Sequence, residues 1–475
     1  MDELDSVRRE EEAPLRFGTS GIRGVVGQGL TQDGCERAGR ALGTLLKQGA
    51  HVCIARDTRH SGPEVAEWVT RGLLSSGADV VDYGVAPTPV LASLTRAGGF
   101  AAGVMITASH NPLEYNGIKL FDAEGIGFSR ELEQSIEALC ERRSFAIGRG
   151  SLQPDNGALE LYLTGLPSDL VRKALAARVP VLLDPGNGAA SVFARALFER
   201  LGLQVSAVND TPDGAFPGRG SEPSAGTLSG TCESLRQSGA YLAACFDGDA
   251  DRVVFCDREG FLGLDEMIAF VAQNRVRQTL RRYLATTVET GLLPQHALEQ
   301  VGGCVVRGKV GDVAVAHLTR ELGAALGTES IGVYIFPEQG LYPDSLVAVL
   351  HVLGMHADPA AARDFIASLP RLHLVKRKVS CPSALKTPVM ARAAGALCDA
   401  LDAPGDVTVN ETDGVRLEMA DAWLLVRPSG TEPVVRVTTE CTDSVRGEHL
   451  ARGAEDIVTR LIVEAARAAN SGGTQ

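Results

Sequence analysis

The sequence predicts three related α/β domains followed by a smaller C-terminal α+β domain. Three observations carry that prediction. A chain of 475 residues exceeds what one hydrophobic core organises, so two to four domains are expected. Short apolar runs that read as buried strands alternate with segments of helical spacing along most of the chain. From Lys376-Arg377-Lys378-Val379 the pattern changes to strands around 407–439 and a closing helix near 446–468. Boundaries near 150, 254 and 370 divide the chain into 1–150, 151–254, 255–370 and 371–475. The linker Gly148-Arg149-Gly150-Ser151 supports the first.

Taken in order, His51-Val52-Cys53-Ile54-Ala55 is a strand that ends in Arg56-Asp57-Thr58-Arg59. A helix follows from about Gly62, with Val65, Trp68, Val69 and Leu73 on one face. Val80-Val81-Asp82-Tyr83-Gly84 returns as a strand. Pro180-Val181-Leu182-Leu183-Asp184 repeats the plan and turns at Pro185-Gly186-Asn187-Gly188 into a helix through Val192, Ala196 and Leu197. Gly303-Cys304-Val305-Val306-Arg307 opens a third unit.

Three loops hold residue types with chemistry in them. Thr107-Ala108-Ser109-His110-Asn111-Pro112 follows the buried run Ala101–Ile106. A polar cluster closed by Asn-Pro is a tight turn at a strand end, where ligands sit in open α/β sheets. Ser109 is suited there to carry a covalent group, with His110 and Lys119 as sources of positive charge. A turn serine that only caps the next element is the plainer reading. Phe246-Asp247-Gly248-Asp249-Ala250-Asp251-Arg252 crowds three carboxylates into one turn, which is unfavourable without a cation or full solvation. Short all-oxygen side chains suit a hard ion, Mg²⁺ first. An EF-hand loop would have Gly at its sixth position and Glu at its twelfth, and here those are Arg252 and Arg258. Arg427-Pro428-Ser429-Gly430-Thr431-Glu432-Pro433 offers a guanidinium, two hydroxyls and an open Gly backbone to a phosphate-sized anion, and Arg436 adds a second fork. Gly186-Asn187-Gly188-Ala189-Ala190-Ser191 approaches the dinucleotide fingerprint, but Ser191 replaces its last Gly, and a tight turn is preferred to an NAD site.

Together these loops resemble the α-D-phosphohexomutase family, which includes phosphoglucomutase, phosphomannomutase and phosphoglucosamine mutase. The likeness runs in the family's order: Phe17-Gly18-Thr19-Ser20-Gly21-Ile22-Arg23-Gly24, the Ser109 loop with Tyr115-Asn116-Gly117-Ile118-Lys119, the Asp247 loop, Lys309-Val310-Gly311-Asp312, and the Arg427–Pro433 loop. The wording of several motifs, including Asp213-Gly214-Ala215-Phe216-Pro217-Gly218-Arg219, is similar to archaeal phosphoglucosamine and phosphomannose mutases. The resemblance implies four domains around a central cleft and an isomerase that is an intramolecular phosphotransferase. It implies Mg²⁺ held by Asp247, Asp249, Asp251 and phosphorylated Ser109, with a hexose 1,6-bisphosphate as activator. It places Ser109, His110, Lys119 and Arg23 at the reacting phosphoryl group. It assigns Arg252, Lys309, Glu329, Ser330, Arg427, Ser429, Gly430, Thr431 and Arg436 to the phosphosugar. A fourth domain that hinges near residue 370 is expected with them.

One segment departs from the family. Its third domain carries Gly-Glu-x-Ser/Asn-Gly, and here the stretch is Thr328-Glu329-Ser330-Ile331-Gly332. Glu329 keeps the acceptor, Ile331 lacks the hydrogen-bonding group, and Ser330 takes its place if the loop shifts by one residue. Gly308 likewise stands where a Thr is common. A mutase for mannose, glucose or pentose phosphates, and a non-catalytic sugar-phosphate binder, are therefore the other readings.

Composition agrees. A net charge of −13 opposes nucleic acid and anionic membrane as partners, and the small phosphosugar partner is what the resemblance implies. Ten cysteines without a C-x-x-C pair point to reduced thiols in a cytoplasmic protein. A monomer or homodimer is expected. The charged start, Met1 to Glu12, is no signal peptide and reads as a frayed tail, and Asn470–Gln475 reads as disordered. No run approaches the roughly 20 apolar residues of a membrane span.

Overall fold

The computed structural model describes residues 15–18, 20–355, 360–400, 407–430 and 432–471. Two features read from the sequence, the charged tail before residue 15 and Thr431 of the anion loop, lie outside the described residues. The described chain forms two compact units, one of residues up to Gly263 with Ile331–Ala361, the other of Leu264–Ser330 with the chain from Ala362 onward.

In the first unit, strands β1 (Ile22–Val25), β2 (His51–Arg56), β3 (Asp79–Val85), β4 (Ala102–Ile106), β5 (Tyr115–Asp122) and β6 (Leu152–Pro154) form one sheet in the order β1-β5-β4-β2-β3-β6. The central pairs β2–β3 and β2–β4 are parallel, and β5 runs antiparallel to both β4 and β1. Parallel strands buried on both faces are continuously apolar, and β4 has no exposed residue. Helix Gln32–Leu46 begins where the Thr31 hydroxyl caps Gly34 N at 3.2 Å. Helix Gly62–Ser75 begins with Pro63 in its first turn. The two cross closely because Gly39 and Gly72 lie at the contact. A Cβ on either would stand 2.2 Å from a backbone oxygen of the other helix. Leu42, Val52, Ile54, Val69, Leu73 and Val104 fill the core between helices and sheet, each worth about 1.5–3 kcal/mol of burial.

A second sheet in this unit has the order β11-β10-β9-β7-β8, from β7 (Val181–Asp184), β8 (Val205–Ala207), β9 (Leu242–Phe246), β10 (Val253–Asp257) and β11 (Gly260–Phe261). Residue 254 thus lies inside a strand, and the chain leaves this sheet only after Phe261. The helix expected after Gly188 is divided. A 3₁₀ turn covers Ala189–Val192 and an α-helix covers Ala194–Arg200, with Phe193 between them at φ −129°. Gly188 opens no dinucleotide-binding helix. It abuts the metal loop, where a Cβ would lie 2.5 Å from Gly248 O.

The second unit carries the parallel strands β12 (Tyr283–Thr287), β13 (Cys304–Gly308) and β14 (Leu326–Glu329), with β12 paired to both of the others. After β15 (Val333–Ile335) in the first unit, the chain returns to build an antiparallel sheet in the order β16-β20-β19-β18-β17. Its strands are β16 (His373–Ser380), β17 (Thr408–Asn410), β18 (Val415–Glu418), β19 (Ala422–Pro428) and β20 (Val434–Cys441). The closing helix runs Ser444–Ser471, so Asn470 and Ser471, read as disordered, are helical; residues 472–475 lie outside the described residues. The joint expected near residue 370 falls inside this unit, where bonds link the residues on its two sides. Arg416 Nη1 donates to Val288 O at 2.6 Å, and Glu440 Oε2 accepts from Leu292 N at 2.8 Å. Val288, Leu292, Trp423 and Leu425 form an apolar cluster beside those bonds. No helix among the described residues is long and apolar enough to cross a membrane.

Candidate active site

β4 is followed by Thr107, whose Oγ1 donates to Asp57 Oδ2 at 2.6 Å and accepts from Ser109 N at 2.8 Å. That pair of bonds turns the chain into the left-handed region at Ser109, φ +51°. A non-glycine residue rarely adopts it, and such strain collects at functional sites. The fully buried Ser109 points its Oγ at the metal loop and donates to Asp247 Oδ2 at 2.8 Å. His110 Nδ1 lies 3.2 Å from the same oxygen.

The metal loop leaves β9 and turns at Ala250, φ +57°, whose carbonyl accepts from the Ser345 hydroxyl at 2.6 Å. Oxygens of Asp247, Asp249 and Asp251 all lie within 4.8 Å of one another, and all three residues are buried. Lys119 Nζ, reaching from β5, donates to Asp249 Oδ2 at 2.8 Å and Asp251 Oδ2 at 2.5 Å. Thr88 Oγ1 adds a bond to Asp249 Oδ2 at 2.6 Å. Burial, then the charges of Asp251 and Asp249, push Asp247 well above the usual carboxylate range. Burial acts on Asp249 the same way, but the Lys119 ammonium and the Lys119 and Thr88 hydrogen bonds outweigh it and hold that carboxyl low. Asp249 Oδ1 and Asp251 Oδ1 are buried with no hydrogen-bond partner. Buried acceptors without donors are costly unless an ion completes them. Three carboxylates and a serine oxygen form a hard, all-oxygen donor set that fits Mg²⁺.

Of the two residues expected to supply positive charge beside Ser109, Lys119 does so and His110 does not. Burial first, then Arg252 and Arg23, push His110 down to about 4, so its imidazole is neutral near pH 7. The cations are Arg23, Lys119 and Arg252. Arg23 sits on β1, in register with Gly117 of β5, and donates to Asn111 Oδ1 at 3.0 Å. Arg252 Nε lies 3.7 Å from Asp251 Oδ1.

The remaining residues singled out in the sequence gather in the second unit. Glu329 ends β14, and its Oε1 accepts from Gly311 N at 2.8 Å. Ser330 is not a free replacement for the missing loop hydroxyl. Its Oγ is engaged by Asp265 Oδ1 at 2.5 Å and Thr290 Oγ1 at 3.0 Å. Lys309 is exposed on the loop that continues into Val310, whose N–H donates to Asp413 Oδ2 at 3.0 Å. Asp413 Oδ1 in turn faces Arg427 Nε at 3.0 Å, and Glu289 pairs with Arg427 Nη1 at 3.1 Å. Ser429 Oγ accepts from Glu432 N at 3.1 Å and Arg436 Nη2 at 3.4 Å, with Gly430 exposed between.

Several working residues were missed in the sequence. Lys386 Nζ holds the Arg427–Pro433 loop by bonds of 2.6 Å to the carbonyls of both Ser429 and Glu432. Lys378 pairs with Glu432 at 2.8 Å. Asp57 and the buried Arg59 underlie the Ser109 turn, and Thr88 and Ser345 fix the metal loop. The one signal available was the acid–arginine tetrad Arg56–Arg59 at a strand end.

The chain matches four successive family profiles. They are described as phosphoglucomutase/phosphomannomutase alpha/beta/alpha domain I over 14–146, domain II over 160–260, domain III over 264–371, and the C-terminal domain over 377–458. It is 38% identical over 453 residues to a Methanopyrus kandleri protein named "Probable phosphoglucosamine mutase", covering 94% of this chain and 98% of that one. A Thermococcus kodakarensis protein of the same name is 36% identical, covering 94% and 99%. Among solved structures, a phosphoglucomutase/phosphomannomutase family protein from Burkholderia thailandensis superposes with a TM-score of 0.79 at 27% identity, over 96% of this chain and 98% of that chain. An Aspergillus fumigatus N-acetylphosphoglucosamine mutase, solved with GlcNAc-6P and magnesium, shares the fold at a TM-score of 0.59 and 16% identity, over 94% and 96%.

Proposed function

The chain belongs to the phosphoglucomutase/phosphomannomutase family, and on that premise we propose that it interconverts a hexose 6-phosphate and a hexose 1-phosphate, glucosamine phosphate favoured, through a phosphoserine at Ser109. The single observation that carries the site assignment is the Ser109 hydroxyl 2.8 Å from Asp247 inside a buried triad in which two carboxylate oxygens accept no hydrogen bond. The names of the archaeal relatives support the amino sugar.

Phosphorylated Ser109 donates its phosphoryl group to the free hydroxyl of the hexose monophosphate. The Ser109 Oγ–P bond breaks as the sugar O–P bond forms, and the sugar hydroxyl loses its proton. Neutral His110 has a lone pair to receive that proton and, with Nδ1 3.2 Å from Ser109 Oγ, to pass it to the departing serine oxygen, while the Lys119 ammonium balances charge. After the bisphosphate turns over, Ser109 takes back the other phosphoryl group. Mg²⁺, when bound by Asp247, Asp249, Asp251 and the phosphoserine, neutralises the transferring oxygens. Arg23 and Arg252 hold the anionic ground beside Ser109. Arg427, Ser429, Gly430, Thr431 and Arg436 are assigned to the phosphate that is not reacting, and Lys309 and Glu329 to the sugar. A hexose 1,6-bisphosphate is the activator that primes Ser109.

The test is ³¹P NMR of the protein with Mg²⁺, a trace of hexose 1,6-bisphosphate and glucosamine 6-phosphate. Growth of a 1-phosphate resonance is the expected result. Turnover of mannose or glucose phosphate alone would shift the substrate, and silence with every sugar phosphate would reject the mutase.

A further inference from the structure

We propose that the segment Asp213–Ser221 is a positioning strap that fixes the distance from the Ser109 turn to the metal loop. The inference rests on the mutase reading, which gives those two loops their roles. The strap supplies no reacting atom.

Its first hold is through Arg59. All five N–H groups of this buried guanidinium are used: Nε to Asp57 Oδ2 at 3.1 Å, Nη1 to Pro112 O at 2.6 Å and Tyr115 O at 2.9 Å, Nη2 to Ser109 O at 2.8 Å and Asn111 O at 2.7 Å. Four carbonyls of the serine turn therefore hang on one side chain. The strap covers it. The Phe216 ring centre lies 5.2 Å from the Arg59 carbon, and Phe216 is buried at φ +51°. Aromatic faces attract guanidinium, more so when desolvated. Gly214 permits the approach, since a Cβ there would lie 2.5 Å from both His60 N and Thr58 O.

The second and third holds act on the two loops directly. Ser221 Oγ is 3.0 Å from His110 O and 3.2 Å from Asn111 O, so its proton serves the carbonyls flanking the nucleophile's turn. Arg219, buried, donates through Nη2 to Phe246 O at 2.5 Å and to Asp184 O at 3.0 Å, and through Nε to Asp184 Oδ2 at 2.9 Å. Phe246 is the residue immediately before Asp247. One short segment thus grips the backbone on each side of the Ser109–Asp247 pair. The demand for such a grip is chemical. Mg²⁺ requires near-ideal octahedral geometry at about 2.0–2.1 Å, and displacement of a reacting group by about 1 Å lowers rate on the order of a hundredfold. The two ligand-bearing loops come from different sheets, and the strap adds backbone holds to the side-chain bonds that Ser109, Lys119 and Thr88 make between them.

The experiment compares the full-length wild type with F216L, S221A and S221T, each stripped with EDTA. Mn²⁺ affinity is read by calorimetry and electron paramagnetic resonance, and kcat and KM with Mg²⁺ by the mutase assay. We expect F216L to bind Mn²⁺ about tenfold more weakly and to lose about tenfold in kcat, with KM within about twofold. S221A moves the same way by a few-fold, and S221T restores it. A segment that only helps folding would lower the number of Mn²⁺ sites per chain and leave their affinity unchanged. Wild-type Mn²⁺ affinity in both F216L and S221A overturns the strap, whether or not the wild type turns over a sugar phosphate. A wild type that shows no turnover, with Mn²⁺ affinity falling in the variants, removes the mutase reading and keeps the strap.

Discussion

Replacing Lys119 with Met tests how the acidic triad is held together. The Lys119 side chain is 7% exposed, and its ammonium bonds two carboxylates that are themselves buried. Removing one partner of a buried ion pair costs about 3–5 kcal/mol, because the remaining charges stay desolvated. The K119M protein has one escape: a carboxyl takes up a proton. For a carboxyl of ordinary pKa near 3.9 that costs about 4 kcal/mol at pH 7 and about 1.5 kcal/mol at pH 5. The loss in EDTA is therefore about 3–4 kcal/mol at pH 7 and shrinks to about 1.5 kcal/mol at pH 5. Mg²⁺ supplies the missing positive charge. At a concentration near 100 times its Kd it returns about 2.7 kcal/mol to any protein that binds it only when folded. With no ammonium competing for the same oxygens, the variant gains more from Mg²⁺ than the wild type does. Urea unfolding of both proteins at pH 7 and pH 5, in EDTA and in Mg²⁺, reads all four quantities. A loss that is the same at both pH values, or that Mg²⁺ leaves unchanged, refutes the reasoning.

Three further outcomes are expected. Asp249→Asn should weaken Mg²⁺ binding by more than the roughly 10–100-fold typical of outer-shell changes, since it removes a ligand charge; calorimetry measures it. Asp344 is buried beneath the Tyr162 hydroxyl, and burial pushes its carboxyl up to about 6. A raised carboxyl favours the protonated fold, so its stability is full below pH 4 and is lost as pH rises through 6, by about 3 kcal/mol. Asp344→Asn should flatten that slope in denaturation curves between pH 4 and 7, and an unchanged slope would show that another group sets it. Arg416→Met should destabilise the second unit by about 1–3 kcal/mol, because Val288 O loses its buried donor; an unaltered unfolding midpoint would refute the tie.

The chemistry of this protein was legible where it is local in sequence. The Ser109 turn, the Asp247–Asp251 loop and the Arg427–Pro433 loop each place their polar groups within a few residues, so spacing marks them as candidates and the family resemblance gives them roles. Strand and helix patterns were legible for the same reason, as with β4 and the helix after Gly62. What escaped depends on distant partners. Arg59 meets Ser109 across 50 residues and Ser345 meets Ala250 across 95, and neither contact has a local pattern. His110 reads as a cation until its burial beside Arg23 and Arg252 is known. Ser330 reads as a spare hydroxyl until Asp265 is seen to hold it. The helix expected through Val192 breaks at Phe193, a backbone choice that apolar periodicity does not record.

The most direct test of the phosphoserine relay is peptide mass spectrometry of the protein mixed with hexose 1,6-bisphosphate and Mg²⁺, then chased with glucosamine 6-phosphate. Phosphate on the Ser109 peptide alone, cleared by the chase at the rate of turnover and absent from a folded but inactive Ser109→Ala protein, is the predicted result. Mutase turnover in Ser109→Ala, or phosphate on another residue that the chase removes, would contradict it.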